Sequence, residues 1–227
     1  MVRVRRSSDN ATADFGGSLF VSWPAISTFL NGSNGFITKF YDQSGNGHDL
    51  AQTTAASQPK IILASNGLPA LLFDGVDDSL KTAAFTLNES FSFDFCFKAV
   101  SQGASQINPL SFGTGCTLLI TTAHVTSFFN GGTLGSDSTS MPIGTRGVVG
   151  VSVSAASTDI EINSAAITSF SGSVGGSNSG GFITIGQSGS GGANANIEAQ
   201  ELVVLNDVQT STQLKTLNAS VRAAWSF

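Results

Sequence analysis

Apolar and polar residues alternate along much of this 227-residue chain. From Ser90 to Ala99 the run SFSFDFCFKA places Phe91, Phe93, Phe95 and Phe97 on one face and Ser92, Asp94, Cys96 and Lys98 on the other. That period of two predicts a strand with one side chain in two buried. The runs GVVGVSVS from Gly147, DIEIN from Asp159, GFITIGQ from Gly181 and AQELVVLN from Ala199 repeat the pattern, each bounded by Gly, Ser or Asn. Helical signals are confined to two places. Pro24 suits the first helical position of PAISTFLNG, which ends on Asn31 and Gly32. The run TSTQLKTLNASVRAAW from Thr210 carries a cap and apolar residues at Leu214, Leu217, Val221 and Trp225. The low-complexity stretches SGSVGGSNSGG from Ser171 and GQSGSGGANAN from Gly186 are each followed by a strand and are expected to be hairpin loops. Nothing splits the chain, so the expectation is one all-β domain over residues 1–227: a two-sheet antiparallel sandwich closed by a short C-terminal helix.

Composition sharpens this picture. Hydrophobic residues make up 41% of the chain and charged residues 11%, against roughly 25% in an ordinary soluble domain, so Ser, Thr, Asn and Gly must solvate the surface. The 17 Phe rule out a disordered chain. A net charge of −5, with Arg3, Arg5 and Arg6 gathered at the start, leaves the rest acidic and argues against nucleic acid as a partner. No apolar run is long enough to span a membrane, and the first residues carry no secretory h-region. Cys96 and Cys116 are too few for a disulfide framework. They are expected as free thiols, a disulfide remaining open if their strands are neighbours.

Candidate chemistry concentrates in two loops. FYDQSGNGHDL, from Phe40 to Leu50, holds the residues a tight turn asks for: Gly and Asn tolerate positive φ, and Asp and Asn side chains bond nearby amides. Scaffold is the first reading. Its rivals are a ligand-binding edge, with Tyr41 as platform and Asp42, Asn46 and His48 as polar partners, and a calcium loop using Asp42, Asn46 and Asp49. DGVDD crowds Asp74, Asp77 and Asp78 together, and three carboxylates so close call for a cation, amides or water around them. His124 stands alone in an apolar stretch. For glycosidase chemistry, which needs two carboxyl groups across a cleft, the same-face strand pair is Asp159 and Glu161, and the other Glu are Glu89, Glu198 and Glu201. Neither His accompanies a nucleophile elbow. No catalytic residue is assigned. Trp23 precedes Pro24, and Trp225 falls in the apolar pattern of the tail helix, where core packing is expected.

Three motifs, RVRRSSDNATADF (Arg3 to Phe15), GFITKFYDQSGNGHDLAQTTAASQPKI (Gly35 to Ile61) and NGLPALLFDGVDDSL (Asn66 to Leu80), together resemble concanavalin A-like domains related to the arabinofuranosidase B catalytic module, many of them carried by phage tail and virion proteins. FSFDFCFKA, DIEINSA and IEAQELVVLNDVQTSTQLKTLNASV are similar to the central strand, a strand entering a turn, and the last strand and closing helix of the wider laminin G-type group. The resemblance implies a jelly-roll sandwich with residues 1–34 as an N-terminal arm or strand packed on it. It begins almost at residue 2, which implies a fragment or trimmed member. The Cys- and aromatic-rich segment that carries the nucleophile of true arabinofuranosidases has no counterpart here, so the hydrolase site is not carried over. The function expected is therefore a non-catalytic surface module of a tailed-phage virion, as capsid decoration, fibre or tail component. Its partners would be cell-surface glycans or other virion proteins, self-association into a homo-oligomer being compatible, with no cofactor unless calcium binds at Asp74, Asp77 and Asp78. The alternative is a secreted, extracellular glycoside hydrolase of arabinofuranosidase type or its carbohydrate-binding module.

Overall fold

The structure, a computed structural model, describes residues 1–225 apart from 88–89, 102–105, 124, 131–132, 155, 164, 172–180 and 193. His124, Glu89 and most of the loop from Ser171 therefore lie outside the described residues.

Among the described residues every strand pairing is antiparallel, and hydrogen bonds join 17 strands into one continuous sheet. Two runs can be followed through it. The first passes from Thr12–Phe15 through Val2–Arg6, Gly35–Phe40, Lys60–Leu63, Pro69–Asp74, Asn196–Leu205, Phe91–Ser101, Arg146–Val153 and Ser157–Ile162 to Thr168–Ser171. The second leaves the same Gly35–Phe40 strand and passes through Leu50–Ala51, Leu80–Lys81, Ile183–Ile185, Ile107–Phe112, Cys116–Ile120 and Val125–Asn130 to Thr133–Ser140. The expectation of two separate sheets is corrected here. Gly35 and Phe36 pair with Ile61 and Lys60, while Lys39 and Phe40 pair with Ala51 and Leu50, so one strand serves both runs. The N-terminal segment belongs to the sheet, since Val2–Arg6 pairs on both sides.

Aromatic packing joins the runs. Phe93 of the first lies 5.0 Å from Phe112 and 5.6 Å from Phe128 of the second, ring centre to ring centre, and Phe91 lies 4.8 Å from Phe112. These rings are all buried in one core, each contributing roughly 1.5–3 kcal/mol of burial relative to exposure. The alternation of Phe91–Phe97 places the rings as expected, but burial of only one side chain in two does not hold. Ser92, Asp94 and Cys96 on the opposite face are fully buried as well.

The cover on that face is a helix, α2 (Ser211–Ala224). The side chain of Thr210 accepts the backbone N–H of Gln213 and the Gln213 side chain accepts that of Thr210, a capping box that fixes where the helix starts. Leu214, Asn218 and Val221, spaced to lie on one side, are buried against the sheet, and Val221 and Trp225 pack with Cys96 and Val148. Trp225 is thus core, as its position in the apolar pattern suggested. Cys96 and Cys116 are both buried and are not joined in a disulfide, and burial pushes the Cys96 thiol up to about 12. The first helix, α1 (Leu19–Leu30), starts earlier than expected. The Ser18 hydroxyl accepts the Val21 N–H and sets its start, which leaves Pro24 inside the helix where an intrahelical bond is forfeited.

Candidate functional site

The loop at residues 41–49 joins the paired strands Gly35–Phe40 and Leu50–Ala51. Its side chains are spent largely on each other. The Asp42 carboxylate accepts the Ser44 N–H at 2.7 Å, the Ser44 hydroxyl at 2.8 Å and the His48 N–H at 3.0 Å. Asp49 accepts the Asp42 N–H at 2.9 Å and the Lys39 ammonium at 3.0 Å. The Asn46 side chain donates to the Ser44 hydroxyl. Gly45 and Gly47 take φ of +85° and +77°, the left-handed region that a Cβ would strain. Burial works to raise the Asp42 and Asp49 carboxyls, but these bonds together outweigh it and hold both below their usual range.

Two aromatic side chains edge this loop. His48 stacks on Phe85 with ring centres 4.0 Å apart. Tyr41 donates its hydroxyl to Asp14 at 2.8 Å, and the Arg3 guanidinium and Lys39 ammonium lie 5.9 Å and 5.2 Å from the centre of its ring. Hydrogen bonds from Arg3 and then from Tyr41 hold Asp14 at about 2, and burial, followed by the bond to Asp14, raises the Tyr41 phenol. Cations therefore already approach the ring that a sugar would use as a platform.

The second loop brings its carboxylates together as the sequence indicated: Asp74, Asp77 and Asp78 offer oxygens all within 4.8 Å of one another. Part of their capacity goes to the turn. Asp74 accepts the Val76 N–H at 2.7 Å, Asp78 accepts the Asp74 N–H at 3.0 Å, and Asp77 accepts the Ser57 hydroxyl at 2.9 Å. Asp74 and Asp77 are exposed and Asp78 is buried. Burial first, and then the charges of Asp74 and Asp77, raise Asp78 to about 6. The three oxygens are close enough for one cation to reach them together.

The strand pair Asp159 and Glu161 does not line a cleft, because Glu161 is fully buried beneath α2 and Asp159 lies by Ser211 at the start of that helix. Glu198 is held between Lys98 and Arg146, and Glu201 accepts the Trp225 indole N–H.

Sequence reasoning missed a depression of about 190 Å³ at the end of the first helix, lined by Trp23, Ser27, Ser33, Asn34, Lys60 and Ile61. Pairing of Gly35 with Ile61 draws these distant segments together. The hollow is thus lined by an aromatic ring beside serine, asparagine and lysine side chains.

Comparison by sequence with known protein families and with curated proteins finds no match. Comparison by structure does. A mutant GH54 α-L-arabinofuranosidase soaked with 4-nitrophenyl α-L-arabinofuranoside superposes with a TM-score of 0.72 at 16% identity, covering 98% of this chain and 59% of its own. An arabinofuranosidase complexed with arabinofuranosyl-α-1,2-xylobiose gives 0.71 at 18% identity, covering 98% and 58%. Trypanosoma rangeli sialidase in complex with sialic acid gives 0.58 at 14% identity, covering 81% and 32%. The expectation of a non-catalytic module is overturned by these matches, since the folds shared over nearly the whole chain are those of sugar-cleaving enzymes. The phage and laminin G links gain no support from them. This chain spans about three fifths of the arabinofuranosidases it matches, and what it shares with them is the fold.

Proposed function

We propose that the chain is a carbohydrate-active domain of glycoside hydrolase type, either the arabinofuranoside-cleaving part of such an enzyme or its carbohydrate-binding module. The observation that carries the reading is the superposition of 98% of the chain on arabinofuranosidases. Under this reading the two packed runs form one jelly-roll sandwich, and residues 1–227 are a single domain with the first 34 residues built into it. Trp23 supplies the stacking face for one sugar ring, and Ser33, Asn34 and Lys60 supply polar contacts to its hydroxyls. The hollow is below the roughly 300 Å³ at which drug-sized ligands are accommodated, so it suits a single residue of a glycan. The edge formed by Tyr41, Asp42, Asn46 and His48 is a second contact for a longer chain, and Asp74, Asp77 and Asp78 are a calcium site that stiffens the neighbouring turn. A secreted setting fits this activity, and a virion surface that engages host glycans fits it equally. Retention on arabinoxylan and release of 4-nitrophenol from 4-nitrophenyl α-L-arabinofuranoside test the reading together. Release identifies the cleaving part and retention alone identifies the binding module; absence of both overturns the proposal.

A further inference from the structure

The sheet face under α2 carries an anomaly. Asp94 pairs with Gly150, and Gly150 pairs with Glu161, so the three residues form one row across three strands with their side chains on the same face. Gly150 leaves a gap in that row. A Cβ there would lie 2.9 Å from Asp94 Oδ1, 3.1 Å from Leu214 Cδ1 and 3.4 Å from Asn218 Nδ2, so the Asp94 carboxyl leans over the glycine into the space beneath the helix. Asp94 and Glu161 are both fully buried, and none of their four carboxyl oxygens completes a well-formed hydrogen bond among the described residues.

The other charges facing this space do not neutralise the pair. From α2, Lys215 draws the Glu161 carboxyl down, and the Asn218 amide, which donates to the Val148 carbonyl, also reaches the Asp94 carboxyl as a donor and draws it down, against the larger effect of burial. From Asn196–Leu205, the charge of Glu201 disfavours ionisation of Asp94, as does Glu161 from Ser157–Ile162. Arg146 and Lys98 are committed to Glu198, Arg222 donates to the Asn163 carbonyl, and Asp159 lies toward the Ser211 end of the helix. A buried carboxyl whose desolvation outweighs the donors and cations near it stays neutral by keeping its proton.

We propose that Asp94 and Glu161 form a proton-held latch for α2: the helix stays seated while both carboxyls are protonated, and their ionisation releases it. Burial is the leading cause that raises Glu161 to about 7 and Asp94 to about 8. In the released state both carboxyls titrate near their ordinary values, around 4. Between those limits the seated form binds more protons, so seating is strongest below about pH 4, weakens as pH rises, and reaches its floor above about 8. Each carboxyl contributes up to about a ten-fold rise in helix opening per pH unit in that window.

Native-state hydrogen exchange of the α2 amides from pH 5 to 9, with the amides of Leu19–Leu30 as the reference for the chemical effect of pH, reads this directly. The latch requires α2 opening to rise at least ten-fold per unit near pH 6 relative to that reference, and the Asp94→Asn, Glu161→Gln double variant to remove the rise. Parallel behaviour of the two helices overturns it. Should the double variant fail to fold, carboxyl carbon NMR of the native protein decides: midpoints near 7 and 8 support the latch, and midpoints near 4 contradict it.

Discussion

The Tyr41 hydroxyl donates to Asp14 Oδ1 at 2.8 Å, tying the first residue of the 41–49 loop to the N-terminal hairpin. Arg3 grips the same carboxylate through Nε at 2.8 Å and a terminal nitrogen at 2.7 Å. Asp14 therefore has a depressed folded pKa, about 2. Its contribution to stability is present above the ordinary carboxylate range and is lost as pH falls toward 2. Tyr41→Phe removes the phenol's bond and leaves both bonds from Arg3. The expected outcome by NMR titration is an Asp14 midpoint that rises yet stays below the usual value of about 3.9. An unmoved midpoint would show that the phenol does not contribute to holding the carboxylate.

Asp42 receives three hydrogen bonds from its own loop. Asp42→Ala leaves the Ser44 and His48 amides without their acceptor and is expected to cost about 1–2 kcal/mol, read as a lower midpoint of denaturant unfolding. Asn46→Ala removes a bond between exposed side chains and is expected to fall within about 0.5 kcal/mol of the native protein. Equal effects of the two substitutions would contradict the assignment of Asp42 as the loop's organiser.

The Asp74, Asp77 and Asp78 cluster tests as a calcium site by linkage. A cation that binds only the folded protein raises the melting temperature by mass action, so millimolar calcium should raise it over a chelator-treated sample. Asp77→Asn should weaken the response, since Asp77 supplies one of the exposed carboxylates. Identical melting in calcium and chelator would leave the three as turn formers, with their bonds to Val76, Asp74 and Ser57 as their whole role.

What could be read from the sequence was local. The alternation from Phe91 to Phe97 announces a strand because each residue's facing is fixed by its neighbours, and the cap at Thr210 announces a helix for the same reason. The self-bonded loop around Asp42 was legible because Asp, Asn and Gly act within a few residues of themselves. Three features were not legible. Burial of Asp94 and Cys96 depends on α2, and that of Ser92 on the segment leading into it, all more than a hundred residues away and covering a face that composition alone marks as solvent-facing. The joining of both runs through Gly35–Phe40 depends on one strand changing partners along its length. Trp23 and Lys60 become neighbours only when Gly35 pairs with Ile61, and neither carries a local signal of a site.

The central claim, a carbohydrate-active domain that engages arabinose-bearing glycans, meets its most direct test in affinity electrophoresis through arabinoxylan. The native protein and Trp23→Ala would run side by side, with melting curves confirming that both are folded. Retardation of the native protein, weakened about ten-fold or more in Kd by Trp23→Ala, is the expected result, since that factor corresponds to about 1.4 kcal/mol and is of the size of an aromatic stacking contact. Retardation that the substitution leaves unchanged would move the site away from the Trp23 hollow. Free migration of the native protein through arabinoxylan, together with no release of 4-nitrophenol from the arabinofuranoside, would contradict the claim itself.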